Sequence, residues 1–333
     1  MPIALNELLR ATSRSFYLTL RVLPAAVRPQ IGLAYLLART TDTIADTEIL
    51  PVEQRLEALG KLRGRILGQS TAPLNFGELA KQQGSPAERV LLEKAEVGLT
   101  LLGTFDPADI ERIVAVVNTI IGGQELDLTR FERASESHIA TLQTEAELDD
   151  YTYRVAGCVG EFWTKMCRAH LFPNARLDDA QLLADGIRFG KGLQLVNILR
   201  DLPADLRKGR CYLPFMQLER GDIKPVELLS PANEQKLRPV YNAWLDIAQA
   251  HLEAGWGYTN ALPFGQIRVR LACAWPVLIG LETLRRLRSE TILDGTRRVK
   301  VSRAEVRGIM WRTVLFYPMR GKWRSLGNQS KPS

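Results

Sequence analysis

Gly190-Lys-Gly-Leu-Gln-Leu-Val-Asn-Ile-Leu-Arg-Asp-Leu-Pro-Ala-Asp205 is the stretch on which the fold turns. Residues three or four apart share one face of a helix, and such strides lead from Gly190 through Gln194 and Asn197 to Asp201 and Asp205. Most of what lies between is apolar: Leu193, Leu195, Val196, Ile198, Leu199. One polar stripe on an otherwise buried helix needs polar partners or a cavity that holds a polar ligand. Pro203 falls between the two aspartates. Proline removes a backbone donor and crowds the preceding turn, so a kink or a helix end is expected there, and the aim of Asp205 relative to Asp201 stays open.

The same arrangement occurs earlier. Asp42 and Asp46 sit in Arg39-Thr-Thr-Asp-Thr-Ile-Ala-Asp46, after the apolar helical run Ile31-Gly-Leu-Ala-Tyr-Leu-Leu-Ala38. Either pair alone reads most simply as a solvated face, or as a buried ion pair with the nearby Arg39 or Arg200. Its occurrence at two distant places favours a functional reading. Hard cations such as Mg²⁺ take oxygen ligands, commonly one or two carboxylates plus substrate phosphates. Two such pairs facing each other, Asp42 and Asp46 against Asp201 and Asp205, would hold Mg²⁺ on a diphosphate. Helical periodicity dominates and strand signals are nearly absent. The need for the pairs to meet implies one all-α domain with a central cavity.

Bulk properties agree with a globular chain. The sequence has 333 residues, 46% apolar and 24% charged, with a formal net charge of +7. Cys158, Cys167, Cys211 and Cys273 show no metal-binding or redox spacing and read as buried thiols in a reducing cytosol. No signal-like start and no long uninterrupted apolar stretch is present, so a cytoplasmic location without a spanning helix is expected. Basic residues crowd the end, among them Arg285, Arg286, Arg298, Lys300 and Arg312, and suit an anionic surface or ligand. No zinc-finger, RNP or helix-turn-helix pattern supports nucleic acid. Helix starts are expected at Asp106-Pro107, Ser230-Pro231 and the capping box Ser302-x-x-Glu305. The helix begun at Pro107 is expected to end at Gly122-Gly123, and Tyr151 to Gly160 to open a new one.

Two more segments carry candidate chemistry. Ser13-Arg14-Ser15 offers hydroxyls and a cation before an apolar helix, a combination that suits phosphate, although a plain helix cap is the simpler reading. Arg207-Lys-Gly-Arg210 is a compact basic turn placed to close as a flap.

Ser13-Arg-Ser-Phe16, Asp42-Thr-Ile-Ala-Asp46, Tyr151 with Val155-Ala-Gly-Cys-Val-Gly160, Gln194-x-x-Asn-Ile-Leu-Arg-Asp-x-x-x-Asp205 and Gly209-Arg-x-Tyr-Leu-Pro214 together resemble the squalene/phytoene synthase family of head-to-head prenyl synthases. The resemblance implies an antiparallel helical bundle of the isoprenoid synthase type over residues 1–305, with a basic, partly apolar tail over 306–333. It implies that the two aspartate motifs face each other at the mouth of a deep cavity. The activity it implies is 1′-1 condensation of two farnesyl diphosphates to presqualene diphosphate, and on to squalene with NADPH. Dehydrosqualene, phytoene, or release of presqualene diphosphate without reduction are the alternatives. In that frame Ser13, Arg14, Ser15, Arg39, Gln194, Asn197, Arg200 and Arg210 bind substrate, and Tyr151 and Phe16 join Asp42 and Asp201 in catalysis. No Gly-x-Gly-x-x-Gly signature marks an NADPH site. Ala45 stands where the squalene-type motif often has an acid, and Pro203 is a second departure. The tail from Met310 to Tyr317 is apolar and basic enough for peripheral membrane association.

Overall fold

The computed structural model describes residues 3–13, 16–296 and 298–328. It divides into two compact units, residues 1–132 with 162–174, and residues 133–161 with 175–333. The first carries α1 (Ile3–Thr12), α2 (Phe16–Val22), α3 (Arg28–Ala45), α4 (Val52–Ile66), α5 (Gly77–Lys81), α6 (Pro86–Glu93), α7 (Ala95–Leu102) and α8 (Pro107–Arg130). After them come α9 (Glu145–Thr152), α10 (Cys158–Leu171), α11 (Asp179–Arg207), α12 (Phe215–Arg220), α13 (Glu234–Ala261), α14 (Ile267–Ser289), α15 (Arg303–Phe316) and α16 (Arg320–Ser325). The strands found among the described residues are two dipeptides, β1 (Ala140–Thr141) and β2 (Arg210–Cys211), paired in parallel. The all-α expectation holds.

In the first unit α3 packs on α8, and α4 packs on both. α3 buries Ile31, Leu33, Leu36, Leu37 and Ile44, and α8 buries Ile113, Val117, Ile120 and Ile121. Arg63 on α4 donates to Asn118 Oδ1 at 2.7 Å and Glu125 Oε2 at 2.8 Å on α8. α8 starts at Pro107 as expected, but it does not stop at Gly122-Gly123: it runs on to Arg130. A glycine inside a helix costs about 1 kcal/mol relative to alanine, which is small beside the burial of Ile120, Ile121 and Leu128 on either side of the pair.

In the second unit α11 lies along α13, and α13 along α14. The predicted capping box forms: Glu305 N–H donates to Ser302 Oγ at 3.3 Å and Ser302 N–H to Glu305 Oε2 at 2.9 Å. The 151–160 segment differs from expectation. Tyr151 lies at the end of α9, and a π-helical turn over Tyr153–Gly157 carries the chain into α10. Tyr153 donates from its hydroxyl to Glu161 Oε2 at 2.8 Å. Burial, with Glu161, pushes the Tyr153 hydroxyl up to about 12. The glycines here are contact points between backbones. A Cβ on Gly160 would fall 1.9 Å from Gly186 O, and one on Gly190 would fall 2.1 Å from Ala156 O. What approaches Gly190 so closely is the π-helical turn itself.

Pro203 also departs from expectation, since α11 continues through it to Arg207. Without an N–H, Pro203 leaves the Leu199 carbonyl without its usual helical partner. Tyr241, fully buried on α13, donates its hydroxyl to that carbonyl at 2.9 Å. The two aspartates therefore stay one turn apart on a continuous helix. Tyr241→Phe is expected to cost about 2 kcal/mol in chemical denaturation, the usual penalty of a buried carbonyl left bare. Adding Pro203→Ala, which restores the N–H, should recover most of that loss. A double variant no more stable than Tyr241→Phe alone contradicts this account.

Candidate active site

Asp42 lies in the last turn of α3, and Asp46 is the residue that caps it, its N–H donating to Asp42 O at 2.8 Å. Gln124, on the part of α8 beyond the glycines, donates from Nε2 to Asp42 Oδ1 at 2.6 Å. Arg39 Nη1 is 3.7 Å from Asp42 Oδ2, while Nη2 of the same guanidinium is committed to Glu88. Although 40% of the Asp42 side chain reaches solvent, burial of its carboxyl and the neighbouring Asp46 charge push it up to about 7, against the pull of Arg39. Two carboxylates one turn apart, one of them held up to about 7, are a donor set that fits a hard divalent cation.

The second pair is balanced differently. Arg200 donates to Asp201 through Nε at 2.9 Å and Nη2 at 2.6 Å. Arg298 donates to the same carboxylate through Nε at 2.8 Å and Nη2 at 2.7 Å. Burial pushes the Asp201 carboxyl upward, but the two guanidiniums outweigh it and hold it below the usual range. Planar guanidiniums gripping a carboxylate in this way also suit phosphate oxygens. Asp205 follows one turn later on α11, half-buried. Among the described residues, no three His, Cys, Asp or Glu side chains converge to hold a metal ion by themselves.

Other expected residues fall as follows. Gln194 and Asn197 are neighbours on α11, with Asn197 exposed and its Nδ2 3.5 Å from Gln194 Oε1. Tyr151 is buried, and its ring stacks on Tyr212 at 4.9 Å between centroids. Ser13 is buried after the end of α1, where its hydroxyl donates to the Leu9 carbonyl. Arg14 and Ser15 lie outside the described residues, as does the side chain of Phe16, which opens α2. The basic turn at 207–210 is tied down rather than loose. Gly209, at φ +78°, leaves no room for a Cβ beside Ser135, and its carbonyl accepts from Ala140 N–H at 2.8 Å. Arg210 itself is in β2, opposite Ala140.

Gln124 and Arg298 are the residues that sequence reasoning did not assign to the pairs. Gln124 stands just past Gly122-Gly123, where the helix is expected to end, and Arg298 in the late basic cluster read as suiting an anionic surface or ligand. Polar residues at helical spacing beyond Gly123, Gln124 and Asp127, were the available signal for the first. All four cysteines are buried thiols.

Helices carrying two aspartate pairs of this kind define an isoprenoid-synthase-type fold. The chain belongs to the squalene/phytoene synthase family, whose profile matches residues 9–305. It is 30% identical to the 15-cis-phytoene synthase of Synechocystis sp., over 72% of this chain and 64% of that protein. It is also 30% identical to the presqualene diphosphate synthase of Rhodopseudomonas palustris, over 76% of this chain and 77% of that one. A TcSQS structure solved with the ligand E5700 shares the fold at a TM-score of 0.77 and 21% identity, covering 98% of this chain and 96% of that one. The chain spans 34% to 64% of the length of the first curated relatives it matches, which include bifunctional lycopene cyclase/phytoene synthases.

Proposed function

We propose that the chain is a prenyltransferase that joins two farnesyl diphosphates head to head to presqualene diphosphate, and carries the product on to squalene when NADPH is supplied. The observation that carries this reading is the pair of aspartate sites: one with a raised carboxyl at Asp42 beside Asp46, the other with a carboxylate held between two guanidiniums at Asp201. Asp42 with Asp46, and Asp201 with Asp205, would each hold Mg²⁺, which would supply the charge that makes diphosphate a leaving group. The protein does the rest. Arg200 and Arg298, which hold the Asp201 carboxylate, would take phosphate oxygens when that carboxylate is given over to a cation. Arg39 and Arg210 add positive charge, and Gln124 fixes the rotamer of Asp42. Gln194 and Asn197 contact the substrate along α11. Tyr151, braced by Tyr212, orients the departing phosphate, and Phe16 is the residue whose aromatic ring would stabilise the allylic cation.

Similarity to a presqualene diphosphate synthase over three quarters of both chains supports a second reading, in which the reaction stops at that intermediate. Incubation with farnesyl diphosphate and Mg²⁺, with and without NADPH, separates the two. Presqualene diphosphate is expected without NADPH and squalene with it. Presqualene diphosphate under both conditions selects the second reading. A product formed only from geranylgeranyl diphosphate would overturn both.

A further inference from the structure

A cavity of about 280 Å³ opens in the second unit where the end of α13, the start of α14 and α16 meet. Its lining includes Arg270, Arg320 and Arg324 and contains no carboxylate. Arg270 is only 6% exposed. Its Nη1 donates to Leu262 O at 2.7 Å and Asn260 O at 3.3 Å, and its Nε has no hydrogen-bond partner. Its guanidinium carbon lies 5.5 Å from the ring centroids of both Tyr317 and Trp323. Burial, with Arg324 and Arg320, lowers its pKa while the Tyr317 hydroxyl acts the other way. Capping the carbonyls at the end of α13 accounts for Arg270 as a structural residue. It does not account for two further guanidiniums in the same lining. Among the described residues no carboxylate forms an ion pair with Arg270, Arg320 or Arg324. Like charges gathered around a concave, partly dry site are stabilised by an anion, and guanidiniums match phosphate best.

The surroundings indicate where such a phosphate comes from. Phe264, in the lining, is 44% exposed. On α15, just before Tyr317, Trp311 (74% exposed), Val314 (48%) and Leu315 (62%) fall at i, i+3 and i+4, so one outward face is apolar. No helix among the described residues is long and apolar enough to cross a membrane. An apolar outward face beside basic residues is the pattern of a helix lying in a headgroup layer. From Tyr241, whose hydroxyl reaches the α11 turn before Asp201, α13 runs on for about 28 Å to Asn260 at this cavity. The cavity is therefore remote from Asp201 and Asp205.

We propose that the Arg270–Arg320–Arg324 cavity is a second anion site that takes a phosphate group, and that its surroundings fit it to the headgroup of an anionic lipid. The test compares wild-type protein with Arg320→Ala/Arg324→Ala, both positions exposed and removable without disturbing the core. One arm measures co-sedimentation with phosphatidylglycerol-containing and pure phosphatidylcholine vesicles. The other measures the rise in melting temperature with inorganic phosphate. Phosphate reaching the aspartate pairs affects both proteins alike and cancels. The variant is expected to lose about thirtyfold in affinity for the anionic vesicles, the effect of two basic side chains near such a surface, together with much of the phosphate-induced shift. Arg133→Ala/Arg220→Ala, which removes equal charge elsewhere, should keep both. Trp311→Ser/Leu315→Ser should weaken vesicle binding and spare the phosphate shift. A phosphate shift that depends on Arg320 and Arg324 without vesicle binding identifies free phosphate as the ligand of the same site. An arginine variant that matches wild type in both arms, or a charge control that fails equally, overturns the proposal.

Discussion

Asp42→Asn is expected to lower turnover about a thousandfold while making the metal-free protein more resistant to heat at about pH 8. The first effect is the loss expected when a group that stabilises developing charge is removed. The second follows from the raised proton affinity of Asp42, up to about 7 from an ordinary value of 3.8, caused by burial and then Asp46. The unfolded carboxyl ionises near its ordinary value and the folded one resists until about pH 7. The wild-type fold therefore loses stability as pH rises through that window, and the loss is complete above it. Asparagine has no such ionisation. The difference in melting temperature should be absent near pH 4 and full at about pH 8, trimmed by the solvent that reaches the side chain. Added Mg²⁺ should close the gap by stabilising wild type and not the variant. Near-wild-type turnover of the variant at limiting Mg²⁺, or a melting difference that does not change with pH, contradicts this assignment.

Gly160→Ala and Gly190→Ala are each expected to destabilise the protein by about 3 kcal/mol or more, at the upper end of overpacking effects. The methyl groups would meet Gly186 O and Ala156 O, at 1.9 and 2.1 Å. These are backbone atoms, and no rotamer change can move them aside. The helix must translate bodily, which unseats the π-helical turn next to Tyr151. Circular dichroism melts of the two variants check this. A shift of only a degree or two in either would show that the segments can separate at little cost. Gly257, whose added Cβ would meet nothing within 4 Å, serves as the control.

Much of this fold was legible because its signals are local. The aspartate pairs, the Pro107 start and the Ser302 capping box each depend on residues within one or two turns, and each forms as its spacing implies. The errors share a cause. Gly122-Gly123 and Pro203 are breakers by intrinsic propensity, yet both lie inside helices, because buried neighbours or a distant hydroxyl offset what the local backbone loses. The partners of the aspartates were hidden for the same reason. Gln124 reaches Asp42 across 82 positions, and Arg298 reaches Asp201 across 97. Local spacing marks Gln124 and Asp127 as a polar face beyond Gly123, but it does not say which distant carboxylate that face meets. The close approach at Gly190 was hidden too, because what meets it is the 156–157 backbone, more than thirty positions away.

The hydrogen bond from Tyr241 to the Leu199 carbonyl ties the history of two positions together. A chain with proline at 203 has a lasting use for a hydroxyl at 241, whereas a chain with any N–H-bearing residue at 203 has none. Phenylalanine at 241 is therefore a neutral change in one background and a harmful one in the other. A lineage can lose the proline first and the hydroxyl later, but the reverse order passes through a weakened intermediate. Descendants of this sequence should show the two positions drifting as a unit, with tyrosine outlasting proline and seldom the other way round.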